Sequence, residues 1–149
     1  FKRAEGLLEN WMKQHHDKDC YPPTIINITD GEYNGVSHDE MLQLSNQLKS
    51  MFTNDGNVLL FNIHIVPGHT ESVVFPASLG ELNHNGYGEK LYNMASLLPL
   101  NYNEQIRAIF GDKQTDIRYH AMGVNTGMER LVKMMKIGTL SSMLVNNNQ

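Results

Sequence analysis

One cysteine, Cys20, is all that 149 residues provide. A lone thiol excludes an internal disulfide and suits a reducing, cytoplasmic compartment. No motif surrounds it, so Cys20 reads as an inert, half-buried side chain. Long apolar runs are missing as well, none approaching the ~20 residues that cross a bilayer, so no membrane partner is expected. The opening Phe1-Lys2-Arg3 leads into amphipathic sequence and carries no signal-peptide pattern. An initiator Met is also lacking, which reads as a fragment or a processed chain. Basic clusters are absent: the 12 Lys and Arg are scattered and the formal charge is −4. No nucleic-acid partner is therefore expected. Gly-x-Ser-x-Gly, the P-loop and Gly-x-Gly-x-x-Gly do not occur. "NGYGEK" has two glycines but not the strand-turn-helix setting of a phosphate loop.

What is present is globular. A hydrophobic fraction of 40% and a charged fraction of 19% belong to a folded chain with a core. The length fits one domain, over 1–140, with an Asn-rich tail at 141–149 that has no periodicity and frays.

Helical and extended patterns alternate. Glu5 to His15 places Leu7, Leu8, Trp11 and Met12 on one stripe. "HHDKDCYPP" breaks it, with His15, His16, Asp17 and Asp19 in a solvated loop. Thr24 to Thr29 is short, apolar and β-branched, as a buried strand is. Ser37 and Glu40 form a capping box before Met41, Leu44, Leu48 and Phe52, and Asn54 to Gly56 supply turn chemistry. Asn57 to Val66 is the strongest strand pattern, hydrophobic enough for burial on both faces. "GEKLYNMASLL" and "NYNEQIRAIFG" read as helices, the second with an Asn cap and a terminal Gly111. "DIRYHAMGVN" is a third strand pattern. "TGMERLVKMMKIG" closes with a Thr126/Glu129 capping box and a helix presenting Met128, Leu131, Val132 and Met135. This order predicts an α/β fold with a mainly parallel sheet. Three strands make that sheet thin, and their two-sided hydrophobicity asks for more neighbours.

The chemistry-bearing residues centre on "PPTIINITDGEYNG". In open α/β sheets ligands gather beyond the carboxyl ends of the strands. Asp30 falls at such an end, and Gly31 permits a sharp turn. A carboxylate there suits Mg²⁺, Mn²⁺ or Ca²⁺, while Asp-Gly is equally ordinary turn chemistry. His64, in phase with Asn62, and His69 five residues on would give with Asp30 a His/His/Asp site for a transition metal. A small metal-dependent hydrolase built on Asp30, His64 and His69 is the alternative function, though no general base or anion-stabilising group is apparent. His120, alternating with Arg118 and Met122, reads as packed. The nine methionines, Met41, Met94, Met128 and Met135 among them, read mostly as core filler.

"PPTIINITDGEYNG" resembles the fourth-strand region of a von Willebrand factor type A domain, whose strand commonly ends in Thr-Asp-Gly. The likeness continues through "LLFNIHI", "FPASLGEL", "GEKLYNMASLLP" and "GVNTGMERLVKMMKIGT". It spans about Trp11 to Thr139 and is similar to bacterial, stand-alone members of the family. The resemblance implies a Rossmann-like three-layer sandwich with a metal-ion-dependent adhesion site. In that site an Asp-x-Ser-x-Ser motif, a Thr and the Asp of Thr-Asp-Gly hold Mg²⁺, Mn²⁺ or Ca²⁺. Only Asp30 carries over; no Asp here is followed by Ser at the second and fourth positions. The segment before Trp11 is too short for the family's first three strands. The chain is therefore expected to be the C-terminal portion of such a domain, with N-terminal strands missing beside Thr24 to Thr29. The implied function is a non-catalytic interaction module whose partner protein presents an acidic residue. Gly31, Asn62, His64, His69 and Asn125 would form the rim around Asp30, and the exposed sheet edge is a place for pairing between chains.

Overall fold

A computed structural model describes residues 1–15, 18–30, 33–68, 71–83 and 86–139. Gly31, His69 and the tail 141–149 lie outside the described residues.

The expected alternation is what forms. In chain order the elements are α1 (Lys2–His15), β1 (Thr24–Thr29), α2 (His38–Ser50), β2 (Phe52–Thr53), β3 (Gly56–Asn57), β4 (Leu59–His64), β5 (Val73–Val74), α3 (Gly86–Met94), α4 (Asn103–Phe110), β6 (Met122–Val124) and α5 (Met128–Gly138). Single 3₁₀ turns at Leu79–Leu82 and Leu100–Tyr102 precede α3 and α4. Among the described residues the main sheet runs β1-β4-β6-β5, and β2 and β3 make a separate hairpin. β1, β4 and β6 are parallel, with Asn27 opposite Asn62, Thr29 opposite His64, and His64 opposite Val124. β5 pairs antiparallel with β6. The architecture is α/β with a mostly parallel sheet.

β4 is central, and each of its residues is buried. Leu59, Phe61 and Ile63 pack with Ile106 of α4 and with Met134 and Ile137 of α5. The alternate residues meet α3: the Asn62 amide donates to the Leu91 carbonyl at 2.8 Å, and the His64 ring lies edge-on to Tyr87. Period-two alternation sends neighbouring side chains to opposite faces, so a strand covered on both sides must be apolar throughout. At β6, Met122 and Val124 pack with Leu91 and Met94 of α3 and against Met41 and Leu42 of α2. Leu8 of α1, Leu48 of α2 and Val58 form a smaller cluster that also covers Ile25. β1 is an edge strand, and among the described residues its outer side pairs with nothing. Its Ile28 is 51% exposed.

Several expectations are corrected. The strand expected over Asn57 to Val66 is confined to Leu59–His64, because Asn57 pairs with Phe52 in the hairpin. The third strand shrinks to Met122–Val124. The approach to it is used differently: the Leu98 N–H donates to Tyr119, the His120 N–H to Pro76 and the Ala121 N–H to Ser96. That same ladder ends α3 at Met94, so the "ASLL" expected to be helical is partly extended, with Leu97 bridged to His120. The Ser37/Glu40 capping box forms. The Thr126/Glu129 box does not: Gly127 caps α5, Thr126 Oγ1 is buried without a partner, and Glu129 pairs with Lys133 at 2.7 Å. Nor does an Asn cap α4. Tyr102 stands at the cap, and the Asn103 amide instead donates to the carbonyls of Thr115 and Ile117. On α5 the expected stripe is rotated: Met128, Val132 and Met135 are exposed while Met134 and Ile137 are buried. Leu7 of α1 likewise faces solvent.

The rotation of α5 has a visible cause. At Gly138 a Cβ would lie 3.0 Å from both a Phe61 ring carbon and the Thr24 methyl. The Thr24 hydroxyl also donates to the Gly138 carbonyl. The helix end thus rests directly on β1 and β4, which turns Met134 and Ile137 inward. Gly138→Val should lower stability by about 1–3 kcal/mol through overpacking, read as a shift of the thermal midpoint; an unchanged midpoint would contradict this close approach.

Candidate functional site

The carboxyl ends of β1, β4 and β6 share one rim, because the three strands are parallel and in register. Asp30 lies one residue beyond the Thr29–His64 pair, in a bend, and is exposed. The Ile65 N–H donates to the Thr29 carbonyl at 2.8 Å, so the pairing persists to the strand end and fixes where the chain turns off. α2 and α5 begin after β1 and β6, and α3, which follows β5, brings Tyr87 of its first turn to His64 at the end of β4.

His64 ends β4 at 5% exposure. Its ring meets Tyr87 edge-on at 5.1 Å, and Tyr87 meets Tyr33 at 5.7 Å. The Tyr33 hydroxyl shares a 2.7 Å hydrogen bond with His38 Nδ1 at the start of α2. An aromatic chain therefore runs from the start of α2 across the rim to β4. His64 Nδ1 is buried without a hydrogen-bond partner. Burial pushes the His64 pKa down, and a backbone contact with Thr29 opposes that in part. The neutral imidazole is the favoured form.

Asn125 follows β6 in the left-handed region, φ 47°, which asparagine adopts more readily than most residues. Its N–H donates to the His64 carbonyl at 2.8 Å, and its side-chain oxygen accepts from the Val66 N–H at 2.6 Å. Asn125 thus ties the end of β6 to the chain leaving β4. Asn62 is not on the rim. It is fully buried, accepts from the Asn27 amide at 3.0 Å and donates to Leu91. A polar pair inside a parallel sheet must satisfy its own hydrogen bonds, and this one joins β1, β4 and α3.

The structure therefore brings Asp30, His64 and Asn125 to one end of the sheet and leaves Asn62 inside it. Gly31 and His69 fall outside the described residues. Tyr33, His38 and Tyr87 are rim residues that sequence reasoning missed. The glycines flanking Tyr87 in "NGYGEK" were the available signal, since Gly88 is buried and Tyr87 begins the helix beside His64. Among the described residues, no three His, Cys, Asp or Glu side chains converge as a metal site. No described helix is long and apolar enough to cross a membrane. No protein-family model, curated protein or solved structure matches the chain.

Two outcomes are expected. Asn62→Leu should cost about 1–3 kcal/mol, because it strands the Asn27 amide and the Leu91 carbonyl inside the protein; chemical denaturation would show it, and a neutral result would contradict the buried polar link. For His64, a base whose folded pKa is depressed stabilises the fold fully above its ordinary value of 6.5 and loses that contribution as pH falls towards the folded pKa. His120 is depressed by burial in the same sense. The thermal midpoint should accordingly fall between pH 7 and pH 5, and the drop should shrink in His64→Gln. An equal drop in both proteins would remove His64 from the account.

Proposed function

We propose that this chain is the C-terminal portion of a von Willebrand factor A-like domain, a Rossmann-like three-layer sandwich acting as a non-catalytic interaction module. The observation that carries the reading is the position of Thr29-Asp30. It ends an edge strand of a parallel sheet, on the rim where α/β folds bind ligands. Strand order supports it further. β1, β4 and β6 follow one another across the sheet in a single direction, so no reversal of strand order lies between them. A reversal, with its crevice, would arise if further strands joined the open side of β1, and Asp30 would then stand at its mouth.

Within that reading Asp30 contributes one carboxylate to a site for Mg²⁺, Mn²⁺ or Ca²⁺. These ions take about six or more oxygen ligands, several commonly from water, so Asp30 alone does not make a site and the remaining protein ligands lie beyond the described residues. When bound, the ion would offer an open position to an acidic side chain of a partner protein. Asp30 and its loop hold one side of that position, and Asn125 keeps the neighbouring strand ends together. His64 is buried against Tyr87, with its pKa pushed down by that burial, so it supports the rim by packing. That placement speaks against the hydrolase reading, in which His64 would join Asp30 and His69 on a cation and share in activating water.

The test is Mn²⁺ titration of the full-length polypeptide, as wild type and as Asp30→Ala. Divalent-ion binding should fall at least tenfold, with the circular dichroism spectrum and thermal midpoint retained. Equal binding in the two folded proteins would overturn the proposal, as would a folded wild type that binds no ion.

A further inference from the structure

The opposite end of the sheet carries a second arrangement. A cleft of about 350 Å³ lies at the amino end of β4 and the approach to β1, lined by Lys49, Asp55, Ser96, Leu97, Tyr102 and Arg118. Its floor is ordered by backbone pairing. The Ser96 N–H donates to the Leu60 carbonyl, and the Leu60 N–H donates to the Ser96 hydroxyl at 2.8 Å. Two cations reach it from different elements, Lys49 from the last turn of α2 and Arg118 from the approach to β6. Each is positioned by a backbone carbonyl of the segment after α3: Lys49 Nζ donates to Ala95 at 3.3 Å, and Arg118 Nε to Leu98 at 3.2 Å.

Neither cation has a carboxylate at ion-pair distance among the described residues, where the pair formed is Lys133 with Glu129. Asp55 is buried in the same cleft. Burial depresses the Lys49 pKa. His120, stacked on Tyr92 at 3.7 Å with a buried, unpartnered Nδ1, is depressed by burial and then by Lys49; a Pro76 backbone hydrogen bond opposes this, and Arg118 adds a smaller push down. Lys49 is half-buried and Arg118 exposed; a half-buried cation without a counter-charge is costly, and a bound anion relieves that cost.

We propose that the cleft binds a phosphate group, either free or as the head of a small phosphate monoester, between Lys49 and Arg118. Arg118 turns its Nε edge to the Leu98 carbonyl and approaches Leu97 through Nη2, so that edge is engaged while the hydrogens of Nη1 and one of Nη2 remain. The donors that remain, on Arg118 and on Lys49, come from two directions, which suits a tetrahedral anion. The volume exceeds that of the anion alone and falls at the lower end of small-molecule sites. Asp55 repels a second negative group and accepts a hydrogen bond from a hydroxyl, so a hydroxylated ester is preferred over the free ion.

The test is calorimetric titration of the folded chain with glycerol phosphate and, separately, inorganic phosphate, at fixed ionic strength. Lys49→Met and Arg118→Gln should each weaken binding about tenfold or more, the scale of one charged hydrogen bond, while Asp30→Ala leaves it unchanged. Binding should also move the His120 ring resonances. Tighter binding of the ester than of the free ion supports the hydroxylated-ester form; binding of inorganic phosphate alone supports the anion site with the free ion as its source. Three results would overturn the proposal: neither probe binding the folded wild type, chloride displacing the probe at equal ionic strength, or both substitutions leaving affinity unchanged.

Discussion

Burial of β4 on both faces is the constraint from which the rest of the arrangement follows. A strand with every residue covered must be flanked by strands on both sides, because unpaired backbone groups at that depth are costly. β1 and β6 meet that need and are thereby held parallel and in register. Side-chain alternation then obliges α3 to cover one face and α4 and α5 the other. The buried amide in the middle of the sheet, Asn62, is tolerated because Asn27 and the Leu91 carbonyl complete its hydrogen bonds. It also pins the register: slipping β1 by one residue would turn Asn27 to the other face and leave Asn62 short of an interior partner. Thr29 stands opposite His64 for the same reason, and Asp30 is where the chain must leave the sheet.

The two edges of the sheet are finished differently. Beyond β6, Val73 and Val74 run antiparallel and cover the short strand. This answers part of the demand for more neighbours than three strands supply. Beyond β1 there is no such cover among the described residues, and the strand TIINIT has no charge, proline or bulge to discourage pairing. The asymmetry places the exposed carboxylate and the open edge on the same strand.

The sequence was most legible where one physical signal acted alone. β1 was legible to the residue because prolines precede it and a turn dipeptide follows it. The Ser37/Glu40 box was legible because both halves of a capping box are local. It was least legible where tertiary contacts competed with local preference. Thr126 and Glu129 have capping-box spacing, yet Glu129 pairs with Lys133 and Gly127 takes the cap. Met128, Val132 and Met135 match a helical stripe as well as Leu131, Met134 and Ile137 do. The contact of Gly138 with Phe61 and Thr24 chooses between them, the second across more than a hundred residues of chain. β2, β3 and β5, two residues each, are too short for any periodic signal. At the rim, the position of Asp30 one residue past β1 was legible from the turn dipeptide that ends the strand pattern. Tyr33 and Tyr87 were not, since aromatic residues in loops announce a partner only once the fold brings it.

Helix direction bears on both ends of the sheet. α2 and α5 begin after the strands β1 and β6, and the first turn of α3 meets His64 at the end of β4, so their partly positive N-termini gather on the carboxyl rim. A carboxylate is favoured there, and a divalent cation is not, until enough acidic oxygens offset those helix ends. Asp30 by itself is thus a poor cation site. At the amino end the sign is reversed. α2 finishes there, and its partly negative C-terminus favours Lys49 in the last turn. The backbone at that end gives an anion little help, so an anion there depends on side-chain charge, supplied by Lys49 and Arg118 from two separate elements.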